Sequence, residues 1–103
     1  MQKDKQPTKM IFRKYIDTGE IIALFPYEIE NKQGHVGSYM HVGQHGAADL
    51  NYVLAKTLAV EKQEYASLLA ELENIGYKVW PVKRVNRTLH YWAKRKVLFP
   101  FIK

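Results

Sequence analysis

Gly34-His35-Val36-Gly37-Ser38-Tyr39-Met40-His41-Val42-Gly43-Gln44-His45-Gly46-Ala47-Ala48-Asp49 holds three of the chain's four histidines and four of its six glycines. Glycine supplies backbone conformations closed to other residues, so its clustering here points to tight local geometry rather than a plain strand or helix. Gly34 to Val42 fits an extended strand. Val36, Ser38, Met40 and Val42 would share one largely apolar face, and His35, Gly37, Tyr39 and His41 the other. From Gly43 to Gly46 the chain is expected to turn, after which Asp49 caps a short helix through Leu50, Val53 and Leu54.

Three chemistries compete for these residues. His41 and His45 have the spacing of two metal ligands on one helix face, but Gly43 and Gly46 argue against a helix, and only His35 and Asp49 are nearby as a third ligand. No metal and no cofactor are therefore expected. Ser38 with His41 or His45 and Asp49 has the residue types of a hydrolytic triad, without the strand-turn-helix elbow that exposes a serine nucleophile. A glycine-rich turn feeding a helix suits an anion, yet the spacing fits neither the P-loop nor the dinucleotide fingerprint. The preferred reading makes Ser38, His41, Gly43, Gln44, His45, Gly46 and Asp49 a turn locked by local hydrogen bonds, with a small-ligand or metal site as the alternative.

Outward from this segment, Met10 to Tyr15 and Ile21 to Phe25 read as two strands joined through Asp17-Thr18-Gly19-Glu20, a hairpin signal. Pro26 should end the second strand, and Tyr27 to Gln33 form a polar loop. Val60 to Ile75 carries Tyr65, Leu68, Leu69, Leu72 and Ile75 as an apolar stripe, with Glu61, Lys62, Glu64, Glu71 and Glu73 on the solvated side and Gly76 as the cap. Tyr77 to Val85 is the last expected strand, placed at an edge or bulge by Pro81. Asn86 to Lys96 suits a short basic helix with Leu89, Trp92 and Ala93 on one side.

The expected fold is an α+β two-layer sandwich: a three- to four-stranded, mostly antiparallel sheet packed against one main helix, with a short additional helix. Residues 1–9 form a flexible polar arm, 10–96 a single domain and 97–103 an apolar tail. The chain has 103 residues, 47% of them hydrophobic and 13% aromatic, which is enough for one modest core. It contains no cysteine, which excludes disulfides, thiolate metal sites and cysteine nucleophiles. With no apolar leader at the N-terminus and no run able to span a bilayer, a cytoplasmic location is the default expectation, with no membrane partner.

The net charge of +6 is unevenly distributed. Five bases against one acid (Asp4) occupy residues 1–14, nine acids against three bases occupy 15–77, and eight bases with no acid occupy 78–103. An acidic middle is thus flanked by basic ends.

Ile11-Phe12-Arg13-Lys14, Ile21-Ile22-Ala23-Leu24-Phe25-Pro26, Ser38-Tyr39-Met40-His41-Val42-Gly43-Gln44-His45-Gly46-Ala47-Ala48-Asp49, Ile75-Gly76-Tyr77 and Lys83-Arg84-Val85 together resemble a family of small uncharacterised bacterial proteins encoded in phages, plasmids and related mobile elements. The similarity covers most of residues 10–90, with His-Val-Gly-Gln-His-Gly its distinctive run. It implies an accessory role in mobile DNA and assigns no activity, catalytic residue or ligand.

The leading functional expectation is a nucleic-acid-binding module for DNA or RNA. Lys83, Arg84, Arg87, His90, Tyr91, Trp92, Lys94 and Arg95 interleave phosphate-neutralising cations with rings on which bases can stack. Lys96 and Trp80 extend the same surface. The alternative is a protein-interaction or inhibitor module that docks an acidic partner or forms a homodimer through the C-terminal tail. No catalytic residue is assigned, and the reading leans away from an enzyme.

Overall fold

The computed structural model describes residues 6–98. In chain order the elements are β1 (Thr8–Tyr15), β2 (Ile21–Ile29), β3 (Val36–Met40), β4 (Gln44–Ala48), α1 (Leu50–Lys56), β5 (Thr57–Ala59), α2 (Lys62–Ile75), β6 (Val79–Pro81) and α3 (Arg87–Leu98). The α+β class and the mostly antiparallel sheet hold. The sheet has six strands rather than three or four, in the order β4-β3-β2-β1-β5, with β6 parallel to β1.

Alternation along β1 organises the core. Met10 and Phe12 join Ala23, Phe25 and Tyr39 in a cluster under Leu68 and Leu72 of α2. Ile11 points the other way, packing with Ile22, Leu24 and Val36 against Leu50 and Val53 of α1. Side chains of period two that are apolar at every position bury a strand on both faces. The expected two-layer sandwich is therefore corrected: helices cover both sides of the sheet, because α1 seals the face opposite α2.

Several boundaries also move. β1 begins at Thr8, inside the expected polar arm, because Thr8 and Lys9 pair with Val79 and Trp80 of β6. Pro26 does not end β2, which runs on to Ile29. The register between β2 and β3 shifts between Phe25 and Ile29, and an irregularity of this kind accommodates a residue without an N–H. The turn expected over Gly43 to Gly46 falls earlier: the reversal is confined to His41, Val42 and Gly43, and Gln44 to Ala48 forms β4. The main helix starts at Lys62 rather than Val60. β6 is shorter than the expected strand, and Pro81 sits on it at the sheet's edge, as anticipated. Val97 and Leu98, assigned to the tail, complete α3; Phe99 to Lys103 lie outside the described residues.

Other local readings stand. The β1–β2 hairpin turns at Gly19 with φ of 78°. Asp49 accepts from the Tyr52 N–H at 3.2 Å as the N-cap of α1. Gly76 ends α2 with its N–H on the Leu72 and Glu73 carbonyls. A cap not anticipated from the sequence is Asn86, whose Oδ1 accepts from the Thr88 and Leu89 N–H groups at the start of α3. No helix among the described residues is long and apolar enough to cross a membrane.

Arg13 ties the layers together. Its guanidinium donates to Thr57 Oγ1 at 2.9 Å and to the Thr57 and Leu54 carbonyls at 2.8 and 3.1 Å. These acceptors belong to the end of α1 and the start of β5, so a cation from β1 closes the helix's negative terminus. Removing it strands the carbonyls of a partly buried site. Arg13→Met is expected to lower unfolding free energy by about 1.5–3 kcal/mol. Lys14→Met, which breaks an exposed ion pair with Glu64 at 2.7 Å, should leave the urea midpoint nearly unchanged.

Candidate functional site

The glycine- and histidine-rich segment folds as the β3–β4 hairpin, and its reversal is held from a distance by Glu71 of α2. The Tyr39 hydroxyl donates to Glu71 Oε2, and the Val42 N–H donates to the same oxygen at 2.8 Å. His41 Nδ1 lies 2.6 Å from Glu71 Oε1. The Gly43 N–H donates to the Tyr39 hydroxyl oxygen at 3.0 Å. One carboxylate thus gathers donors from both the strand before the turn and the turn itself. Val42 has φ of 67° and Gly43 φ of 71°, so a β-branched residue occupies the left-handed region.

The bonds from Tyr39, His41 and the Val42 and Gly43 amides hold the Glu71 carboxyl down at about 2, and the acceptor carboxylate keeps the Tyr39 phenol protonated above its usual range. Neither shift prepares a general base near neutrality.

The three histidines do not converge. His35 bonds within its own loop, its N–H to Asn31 Oδ1 at 3.1 Å and its Nδ1 3.2 Å from Asn31 Nδ2. His45 Nε2 sits 3.2 Å from the Tyr77 hydroxyl, with its ring edge on Tyr39. Ser38 pairs across from Gly46, one residue out of step with Tyr39 and His45, so its side chain lies on the opposite sheet face. Asp49 is committed to capping, and Gln44 lies exposed on β4. Among the described residues no group of three or more His, Cys, Asp or Glu is placed to hold a metal. Of the expected turn residues, His41 and Gly43 form the reversal, and it is held by the distant Glu71 rather than by local bonds.

Glu71, expected on the solvated side of α2, instead reaches the turn, a role that the helix pattern does not reveal. The available signal was slight: it stands three residues after Leu68 and four before Ile75, on the margin of the apolar stripe.

The C-terminal cations are arranged differently. Lys83, Arg84 and Arg87 line one shallow groove of about 280 Å³ with Arg13, Ile11, Leu54 and Val85, and no carboxylate borders it. Arg87 Nη1 donates to Asn51 Oδ1 at 3.0 Å. Along α3, Arg87, Tyr91 and Arg95 follow at four-residue spacing, extending the groove as a row on one side of the helix. Tyr91 and Trp92 are each 54% exposed and meet edge to face at 5.5 Å. The Arg95 guanidinium lies 5.9 Å from the Trp92 ring. Lys14–Glu64 and the His41–Glu71 contact lie away from the groove of Lys83, Arg84 and Arg87.

Two of the expected contact residues turn inward. His90 Nδ1–H donates to the Pro26 carbonyl at 2.7 Å, fixing α3 to β2. The Lys94 stem lies against Gly34, where an added Cβ would sit 3.1 Å from Lys94 Cε. Trp80 is exposed on β6, with Lys9 Nζ 5.3 Å from its ring.

Compared with known protein families, curated proteins and solved structures, the chain matches none.

Two outcomes are expected of the turn. Between its unfolded value near 4.5 and its folded value of about 2, Glu71 binds more protons in the unfolded chain, so its stabilisation is complete above that window and is lost as pH falls through it. Acid titration of stability should show this loss in the native protein and a shallower dependence in Glu71→Gln. Val42→Asn should raise unfolding free energy by about 1 kcal/mol in urea denaturation, since Asn tolerates the left-handed conformation.

Proposed function

We propose that this protein is a small nucleic-acid-binding module whose contact surface is the groove of Lys83, Arg84 and Arg87 continued by Tyr91 and Arg95 along α3, with Trp92 beside them. The supporting observation is the groove itself: cations from separate parts of the chain line one depression that has no acidic wall. Clustered guanidinium groups with neighbouring exposed rings can neutralise phosphates and offer faces for unpaired bases. That none of the residues of α3 is buried favours a helix kept for contact rather than for the core. An accessory role in mobile DNA, implied by the family resemblance, suits a binding module of this size.

Fluorescence anisotropy with labelled single-stranded and duplex oligonucleotides tests the reading. Binding should weaken steeply with salt. Replacing Lys83, Arg84 and Arg87 together by Gln should lower affinity for every sequence and flatten the logarithmic salt slope by about one for each phosphate contact removed. Trp92→Ala should cost about 1–3 kcal/mol on single strands and little on duplex if bases stack there. No binding of either nucleic acid at low salt, or a salt slope unchanged in the triple variant, overturns the proposal.

A further inference from the structure

The two edges of the sheet are built unlike one another. On the far side from β4, the edge is divided between β5 and β6, each three residues long, and β6 carries Pro81. Short strands and proline are means by which an edge resists pairing with another chain. β4 has neither. It runs in unbroken register with β3 from Gln44 to Ala48, its residues exposed up to Ala47, and it contains no charge, proline or bulge.

Its outward groups can be assigned. The His45 N–H bonds to the Gly43 carbonyl at 3.1 Å instead of reaching β3. In an antiparallel ladder alternate residues bond to the same neighbour, so the main-chain groups of His45 and Ala47 face away from β3. Gly46 lies between them without an internal reason for being glycine. Its φ is not positive, and an added Cβ would meet only Ser38 Oγ, at an ordinary 3.5 Å. A glycine of that kind in a strand marks a place where another backbone comes close.

We infer that β4 is the site of strand addition by a second copy of this chain, joining two sheets antiparallel about a two-fold axis at Gly46. In that register the Ala47 N–H donates to the partner's His45 carbonyl and the partner's Ala47 N–H to the His45 carbonyl, while each His45 N–H keeps its Gly43 carbonyl. The two Gly46 residues face each other as a non-hydrogen-bonded pair, the closer of the two spacings, at about 4.5 Å between Cα atoms. Isologous pairing asks only that the strand complement itself. A foreign peptide would need pockets for its alternate side chains, and Gln-His-Gly-Ala-Ala provides little to form them. Val36 to Ala48 contains no Asp, Glu, Lys or Arg, so copies that each carry a net charge of +6 meet at a stretch without like charges.

Sedimentation equilibrium of the full chain over a range of concentrations decides the matter, with circular dichroism to confirm folding. The expected result is a reversible dimer. Ala47→Pro, which removes an outward N–H, and Gly46→Val, which fills the axis while favouring the strand, should each give a folded monomer. Leu58→Lys on the opposite edge should stay dimeric. A native chain that is monomeric throughout overturns the inference. So does a dimer that persists in folded Gly46→Val, or one that Leu58→Lys disrupts. Should Ala47→Pro fail to fold, Gly46→Val still decides, and oligonucleotide binding, measured separately, neither rescues nor sinks the result.

Discussion

β1 is the constraint from which the rest of the structure follows. It pairs with β2 along one side and with β6 and then β5 along the other, and its alternate residues enter separate apolar clusters. A strand hydrogen-bonded at both edges and buried on both faces leaves no side for water, so each neighbouring element has to supply a matching surface. α2 supplies it with Leu68 and Leu72, and α1 with Leu50 and Val53. Arg13 is the exception at the strand's polar end, and it is accommodated only because the carbonyls closing α1 accept its protons. Burial lowers the guanidinium's affinity for its proton, which is the sign of a charge taken partly out of water and met by hydrogen bonds.

That arrangement explains which parts of the fold were legible in the sequence. Met10 to Tyr15 and Ile21 to Phe25 have the composition of strands and a turn between them, so local signals sufficed. The stripe of α2 and the caps at Asp49 and Gly76 are equally local. β4 was hidden because Gln44 to Ala48 has no Val, Ile, Thr, Phe, Tyr or Trp, and Gly43 before it with Gly46 inside it resemble a turn. What makes it a strand is a carboxylate about thirty residues away that holds the preceding reversal, and no window of sequence contains both partners. β5 escaped, and β6 is shorter than the strand expected over Tyr77 to Val85, for a related reason: strands of three residues exist because β1 offers two stretches of free edge, a tertiary circumstance.

Hydrogen bonding sends the histidines apart, one locally and two to distant partners. Residue types suggested metal or nucleophilic sites, but geometry sends His35 to Asn31, His41 to Glu71 and His45 to Tyr77. Each imidazole is spent on positioning a loop, a turn or a strand. The C-terminal cations were easier to anticipate because charge segregation is visible in sequence. What could not be seen was which of them point outward. His90 and Lys94 share the helix side that meets β2 and Gly34, while Arg87, Tyr91 and Arg95 lie along another, and that division depends on how α3 docks.

Docking of α3 itself rests on few interactions. His90 on the Pro26 carbonyl and the Tyr27 hydroxyl accepting from the Asn86 N–H at 2.7 Å hold its first half to β2. Both anchors, Pro26 and Tyr27, lie where β2 departs from regular register with β3. The irregularity thus has a consequence beyond the sheet: it leaves a main-chain carbonyl free to accept from another element. A proline that looked like the end of a strand is in this fold the attachment point for the cationic helix. Its position decides which side of α3 faces the solvent.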